Sequence, residues 1–126
     1  MSENPYITVD ADLKIVKVFY KGELNSSTTN KLVYEARTRA HELGYNLLYD
    51  LRMATIKGSF SEMYFFAREH ESLKMEAAKK IKSANIIPSN NKLKEWLFFE
   101  TTANNAGLTW RAFRTEEEAL AWLTED

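Results

Sequence analysis

The stretch YNLLYDL, residues 45–51, decides the fold that the sequence predicts. It is a short, nearly continuous apolar run that reaches Asp50. Runs of this length without polar alternation are typical of a strand that is buried on both faces of a parallel sheet. We therefore predict a central strand over residues 45–51, with Leu47 and Leu48 in the core.

The segments before this strand predict a hairpin and a helix. YITVDADLKIVKVFYKG contains two β-rich runs around Asp10 and Asp12, which indicates antiparallel strands over residues 6–10 and 14–20. NSSTTNKLVYEARTRAHELG begins with cap-forming residues and ends at a glycine, as a helix does. Its apolar stripe consists of Leu32, Val33, Ala36, Ala40 and Leu43, and Tyr34 lies outside that stripe.

The segments after the central strand repeat the pattern of helix and strand. We predict helices from about 59 to 73 and from 89 to 107, strands at 83–88 and 108–113, and a last helix capped by Thr115. The order ββαβαβαβα predicts one α/β domain over residues 1–126, with a mostly parallel sheet of about five strands and an antiparallel edge hairpin. The residues expected in the core are Leu47, Leu48, Ile86, Ile87, Trp110, Leu120 and Trp122.

The composition argues against several classes of function. Cysteine is absent and the net charge is −1, so we expect no thiol chemistry and no recruitment of nucleic acid by a global field. Thiolate ligands and an H-E-x-x-H motif are both missing from the sequence, so we also expect no metal site. Neither glycine-rich phosphate motif occurs, so we expect no nucleotide cofactor. The start MSENPYITVD resembles no signal peptide, and no apolar run has the length of a membrane span. We therefore expect a cytoplasmic protein that is not an enzyme and has no catalytic residues.

The element order, the spacing from Asp50 to Ser59 and the ending GLTWRAFRTEEEALAWL carry a resemblance to a known family. Over residues 5–124 the chain resembles the SpoIIAA-like superfamily, which holds STAS and STAS/SEC14-type domains, and in particular its uncharacterised bacterial branch. In the anti-sigma factor antagonists of that family, an Asp-Leu pair precedes a serine that is phosphorylated. The resemblance places Asp50 and Leu51 on that pair and Ser59 on that serine. The chain departs from the motif at Gly58, where those antagonists carry aspartate.

Ser59 has three interpretations that the sequence leaves open. Ser59 and Glu62 form S-x-x-E, the pattern of a helix capping box. A phosphate on Ser59 would be stabilised at a helix N-terminus, which suits a phospho-regulated anti-sigma factor antagonist. A nucleophile assisted by His70 and Asp50 is the third interpretation.

Aromatic residues outside the predicted apolar stripes indicate a binding surface. On helical wheels, Phe65 and Phe98 fall outside the arcs that face the core, and Tyr34 is displaced in the same way. On the wheel that contains Phe98, the core arc holds Leu93, Trp96, Leu97, Phe99 and Ala103. We therefore predict a small regulatory or binding module whose partner is a second copy, an apolar small molecule or a regulatory protein. The phospho-switch at Ser59 is the alternative function.

Overall fold

The computed structural model describes residues 6–24, 26–56, 81–88, 93–105 and 109–125. Five strands and three helices lie within these residues. The strands are β1 (Tyr6–Asp10), β2 (Ile15–Leu24), β3 (Asn46–Ile56), β4 (Lys82–Ile86) and β5 (Thr109–Phe113), and the helices are α1 (Ser26–Leu43), α2 (Leu93–Asn105) and α3 (Glu116–Thr124). The helix predicted from about 59 to 73 lies outside the described residues.

The strands form one sheet in the order β1-β2-β3-β4-β5, so the predicted central strand is central. β1 pairs antiparallel with β2, and each later pair is parallel. The α/β class, the mostly parallel sheet and the antiparallel edge hairpin are therefore confirmed. Parallel neighbours require a crossover, and α1 and α2 supply two of these crossovers.

The two faces of the sheet carry different helices. We call the face that carries α1 and α2 the long-helix face, and the face that carries α3 the short-helix face. The long-helix face has a large core of buried residues: Val16, Val18, Tyr20, Leu24, Leu32, Ala36, Ala40, Leu47, Tyr49, Leu51, Ala54, Ile81, Ile87, Trp96 and Trp110. The core of the short-helix face is smaller and consists of Ile15, Leu48, Ala84, Ile86, Ala119 and Leu123. Alternate residues of each strand supply the two cores, as the period of a strand requires.

The hairpin closes through the aspartate that the sequence singled out. The Asp10 carboxylate accepts a hydrogen bond of 3.0 Å from the backbone N–H of Leu13, which is a local turn that aspartate favours. β2 and β3 continue beyond the predicted ends at residues 20 and 51. They stay paired across a bulge at the step from Phe19 to Lys21, and this pairing extends both strands past the end of β4.

The predicted cap of the last helix is confirmed, and two residues of the same helix that were expected to be largely buried lie at the margin of the core. The Thr115 hydroxyl accepts a hydrogen bond of 3.2 Å from the Glu118 N–H. Leu120 and Trp122 are half-buried, because α3 turns Ala119 and Leu123 toward the sheet and leaves its neighbours at the margin. The other five predicted core residues are buried: Leu47, Leu48, Ile86, Ile87 and Trp110.

The helical wheel of α2 is wrong by about one position. Leu97, predicted for the core, is 45% exposed, whereas Phe98 is half-buried against the core of the long-helix face. Trp96 is buried as predicted. Four successive apolar residues over 96–99 make the wheel ambiguous, because each choice of phase buries a large side chain. Leu43, predicted for the stripe of α1, is likewise exposed at the end of that helix.

Candidate functional site

The structure separates the candidate residues that it describes. Asp50 lies on β3, Tyr34 is 61% exposed on α1, and Phe98 packs into the core of the long-helix face. These three side chains therefore do not form one site. Gly58, Ser59 and Phe65 lie outside the described residues, so the phospho-switch and the shared surface of Phe65 and Phe98 stay predictions.

Asp50 forms a bidentate ion pair with Arg52 on the same strand. Its Oδ2 atom accepts a hydrogen bond of 2.7 Å from Arg52 Nη2, and its Oδ1 atom accepts one of 2.9 Å from Arg52 Nε. The backbone N–H of Arg52 also donates to Oδ1, at 3.2 Å. These hydrogen bonds hold the pKa of Asp50 below its ordinary value, although partial burial opposes the shift. Asp50 is therefore a carboxylate at neutral pH, and three of its roughly four lone-pair sites accept hydrogen bonds from Arg52.

A half-open cleft of about 170 Å³ lies beside this ion pair, on the short-helix face. We call it the β1–α3 cleft, because it runs from the edge strand to the first turn of the last helix. It is lined by Tyr6, Thr8, Lys17, Val18, Phe19, Leu48, Asp50 and Glu116. Phe19 and Leu48 supply apolar walls, whereas Lys17, Asp50 and Glu116 bring charges of both signs. The cleft can therefore hold an apolar group and orient polar atoms around it.

The folding pattern explains why the cleft is open. α3 has only nine residues and packs on β3, β4 and β5. It begins at Glu116, so its first turn supplies one wall of the cleft. Tyr6 and Thr8 supply the opposite wall, and Tyr6 is 53% exposed. The β1 side of the short-helix face is thus accessible to a partner.

A second depression lies on the other side of the sheet, between β1 and α1. Its volume is about 390 Å³. We call it the Tyr34 groove; its lining is Ile7, Tyr34, Glu35, Thr38, Arg39 and Glu42. Of the predicted surface residues that the structure describes, Tyr34 is accessible and Phe98 is half-buried. The displacement of Tyr34 from the apolar stripe of α1 is confirmed.

A buried polar cluster joins α1 to β4 on the long-helix face. Arg37 is 2% exposed, and its Nη1 atom donates a hydrogen bond of 3.0 Å to the Ser83 hydroxyl. Asn85 Nδ2 donates to the backbone oxygens of Ser83 and Arg111. Burial lowers the pKa of Arg37 and raises the pKa of the nearby Tyr49 hydroxyl. Hydrogen bonds of this kind specify how a helix sits on a sheet, which is a structural role.

Several residues around these sites were not predicted from the sequence. Asp50 and Arg52 are two positions apart on a strand, and residues at that spacing lie on one face. Their ion pair could therefore have been predicted from the sequence. The burial of Arg37 could also have been predicted, because it follows Val33 by four positions and so lies on the apolar stripe of the helix. The place of Glu116 in the cleft could not have been predicted, because it depends on where α3 docks.

The described residues hold no group of three or more side chains that could bind a metal ion. None of the helices in the described part of the chain is long and apolar enough to cross a membrane. The comparisons with known proteins found no family model and no curated protein that matches this chain. The resemblance to the SpoIIAA-like superfamily therefore stays a prediction.

Proposed function

We propose that this chain is a small, non-catalytic module that binds a protein partner through the β1–α3 cleft. The observation that carries the proposal is the half-open cleft itself, which has apolar walls and charges of both signs around them. The sheet with its strands in chain order supports the further proposal that the fold is SpoIIAA-like. The cytoplasmic location stays a prediction from the composition.

The size of the cleft favours a protein partner over an apolar small molecule. Pockets for small ligands usually have volumes of roughly 300–1,000 Å³. The β1–α3 cleft has about 170 Å³, which suits one large apolar side chain inserted from a partner's surface. The charges of Lys17 and Glu116 would then orient the partner's polar groups at the rim.

The chemistry of Asp50 supports a role in binding rather than in catalysis. A general base needs an accessible lone pair and a pKa near the working pH. Asp50 suits this role poorly, because Arg52 donates to both carboxylate oxygens and holds the pKa of this carboxyl below its ordinary value, away from neutral pH. The ion pair instead gives the cleft a fixed, charged margin.

The test uses the smallest mimic of an inserted side chain. N-acetyl-leucine amide is titrated into uniformly labelled protein, and amide chemical shifts are followed by NMR. Burying one such side chain yields about 1.5–3 kcal/mol, so we expect saturable shifts with a dissociation constant of roughly 10–100 mM. The shifts should centre on Tyr6, Phe19 and Glu116.

Matched variants localise the binding. Tyr6→Ala removes one exposed wall of the cleft and should weaken binding several-fold. Leu97→Ala removes an exposed apolar side chain on the opposite face and should leave binding unchanged. Shifts that stay linear at about 100 mM, or that are equally weakened by both variants, would rule out the cleft as the binding site.

A further inference from the structure

Among the described residues, nothing bonds to the outer edge of β1, whereas side chains bond to the outer edge of β5. β1 is the terminal strand of the sheet and pairs only with β2. β5 is the other terminal strand, but side chains of α2 bond to its outer edge. Asn104 bonds to both the N–H and the C=O of Trp110, and Glu100 accepts from the N–H of Ala112. In the described residues no side chain bonds to the edge of β1 in this way.

β1 also lacks the usual protection of an edge strand. Its sequence YITVD contains no proline, glycine or lysine, and no bulge interrupts its pairing with β2. In the described part of the chain, α1 packs mainly on β2 and β3 and borders β1 at the Tyr34 groove. Ile7 is half-buried and Val9 is 39% exposed. A regular, apolar edge of this kind is a template for another strand.

We propose that a second copy of this chain covers this edge, with β1 pairing antiparallel to β1 of the second copy. A twofold axis through Thr8 gives a symmetric register. Ile7 then lies opposite Val9 of the second copy, Thr8 lies opposite its own equivalent, and Tyr6 lies opposite Asp10. The two sheets become one ten-stranded sheet in a closed, isologous dimer.

The side chains of β1 fit its own sequence in this register. Ile7 and Val9 form apolar pairs on the long-helix face, because their partners on β2 are Val18 and Val16, which belong to that core. On the short-helix face, the two threonines can exchange a hydrogen bond. The Tyr6 hydroxyl lies across from a carboxylate that can accept from it. A strand of unrelated sequence would meet the backbone of β1 without these side-chain pairs, so we favour the second copy.

In the proposed dimer, the Tyr34 grooves of the two copies would face each other across the twofold axis, on the long-helix face of the joined sheet. Strands lie about 4.8 Å apart, so helices seated over β2 and β3 of the two copies would be roughly 20 Å apart across the axis. Directly packed helices are about 8–10 Å apart. The intervening space is floored by Ile7 and Val9 of both copies. Tyr34, at its margin, is long enough to reach over this floor from each side.

The inference goes beyond the proposed function, because the cleft and the edge of β1 are different surfaces that share only Tyr6 and Thr8 among the residues lining the cleft. In the dimer, Asp10 of the second copy would add a carboxylate near the rim of the β1–α3 cleft. The binding of N-acetyl-leucine amide can be measured on a monomeric variant as well as on the wild type. Failure of the dimer would therefore leave the test of the cleft intact.

The first test is sedimentation equilibrium over a range of concentrations. We expect the wild type to dimerise in the micromolar range, and Val9→Lys to shift the dissociation constant by at least tenfold toward monomer. The lysine would place a charge opposite Ile7 of the second copy. Leu97→Lys is the matched control, since it changes an exposed apolar residue on α2, and it should dimerise like the wild type. A wild type that is monomeric at about 1 mM would overturn the proposal.

The second test is cross-linking, which also reads the register. The chain has no cysteine, so each introduced thiol is the only one. Thr8→Cys lies on the axis, where opposed Cα atoms are about 4.5–5.5 Å apart, within the range of a disulfide. It should form a covalent dimer on mild oxidation, whereas Thr101→Cys on an exposed turn of α2 should not.

A mixture of two single variants sharpens the register. Ile7→Cys and Val9→Cys should cross-link to each other and poorly to themselves, because each position is one residue from the axis, so equivalent Cα atoms are offset by two residues and lie about 8 Å apart. Equal cross-linking at Thr8 and Thr101 would overturn the β1 interface. A dimer unaffected by Val9→Lys would overturn it as well. Self-linking of Ile7→Cys that exceeds the mixed product would exclude the Thr8 axis.

Discussion

The two edge strands of the sheet differ in how the backbone groups on their outer sides are bonded. Within the described residues, β1 and β5 are the terminal strands of the sheet, and each pairs with a single strand. α2 closes the edge of β5, because Asn104 and Glu100 bond to its backbone. The edge of β1 has no such closure among the described residues. This chain therefore protects one edge of its sheet with its own side chains, and within the described residues it does not protect the other edge in this way.

Helix cover follows the same division. β5 lies between α2 on the long-helix face and α3 on the short-helix face. Within the described residues, β1 has a groove on one side and a cleft on the other. Burial near β5 should therefore dominate stability, while changes on the β1 side should act mainly on binding.

Trp110→Ala should give the largest loss of stability. Trp110 is buried on β5, and its ring lies 5.9 Å from that of Tyr49. Truncating a buried aromatic side chain costs about 3–5 kcal/mol, because the free energy of burying the ring is lost and a cavity is left in the core. Urea unfolding followed by circular dichroism measures the loss. Trp122→Ala is the control; it should cost less, because Trp122 is only half-buried. Equal losses would show that α3 carries as much of the core as β5.

Asn104→Ala should give the second largest loss, since it opens the edge of β5. The side chain accepts a hydrogen bond of 3.0 Å from Trp110 N–H and donates one of 2.8 Å to Trp110 C=O. Leaving partly buried backbone groups unpaired costs about 1–3 kcal/mol. Hydrogen exchange should also accelerate at the Trp110 amide. Thr101→Ala, an exposed change on the same helix, should do neither. An unchanged exchange rate in Asn104→Ala would show that water replaces the amide without loss.

The sequence predicted the β1 side of the sheet well, because local patterns determine it. Two β-rich runs predicted the first two strands, and the aspartates between them predicted the turn that joins the hairpin. The apolar run at 45–51 gave the central strand for the same reason. These features depend on neighbours in the chain, which a single sequence displays.

The β5 side was less predictable, because its details depend on docking. The apolar run in α2 fits the core in more than one phase, so Leu97 and Phe98 were exchanged. The reach of Asn104 to Trp110 depends on the angle between α2 and β5. The cleft beside Asp50 could not be predicted either, since Glu116 arrives there only when α3 docks.

Tyr49→Phe tests the central strand, β3, which lies between the two edge strands. It should give a small gain in stability. Tyr49 is buried next to Trp110, and its hydroxyl has no hydrogen-bond partner within the described part of the chain. Removing a buried polar atom that lacks a partner should stabilise the fold by about 1 kcal/mol at pH 7. A loss of similar size would instead reveal a partner from another part of the chain. Denaturant unfolding of both proteins decides between these outcomes.

The same variant has a pH signature in alkali. Burial raises the pKa of Tyr49, so the folded state keeps its proton where the unfolded state loses it. Stability from this group is complete below about pH 10, the unfolded pKa, and falls as pH rises above it. Tyr49→Phe removes this loss, so its advantage over the wild type should grow by up to about 1.4 kcal/mol per pH unit above pH 10. A constant difference would show that the hydroxyl ionises equally in both states.

Asp50→Asn should have the smallest effect on stability. Asp50 follows Tyr49 on β3, and its side chain lines the β1–α3 cleft. Arg52 is half exposed, so solvent screens the ion pair and the loss at pH 7 should stay below about 1 kcal/mol. The folded pKa of Asp50 is lowered, so this stability is present above about pH 4 and is lost as pH falls through the folded pKa. The unfolding curves of wild type and variant should therefore differ at pH 7 and converge near pH 2. Asp12→Asn, in the exposed hairpin turn, is the control and should match the wild type at pH 7. A difference that persists unchanged at pH 2 would mean that the substitution acts through packing, and the ion pair would then shape the cleft without contributing to stability.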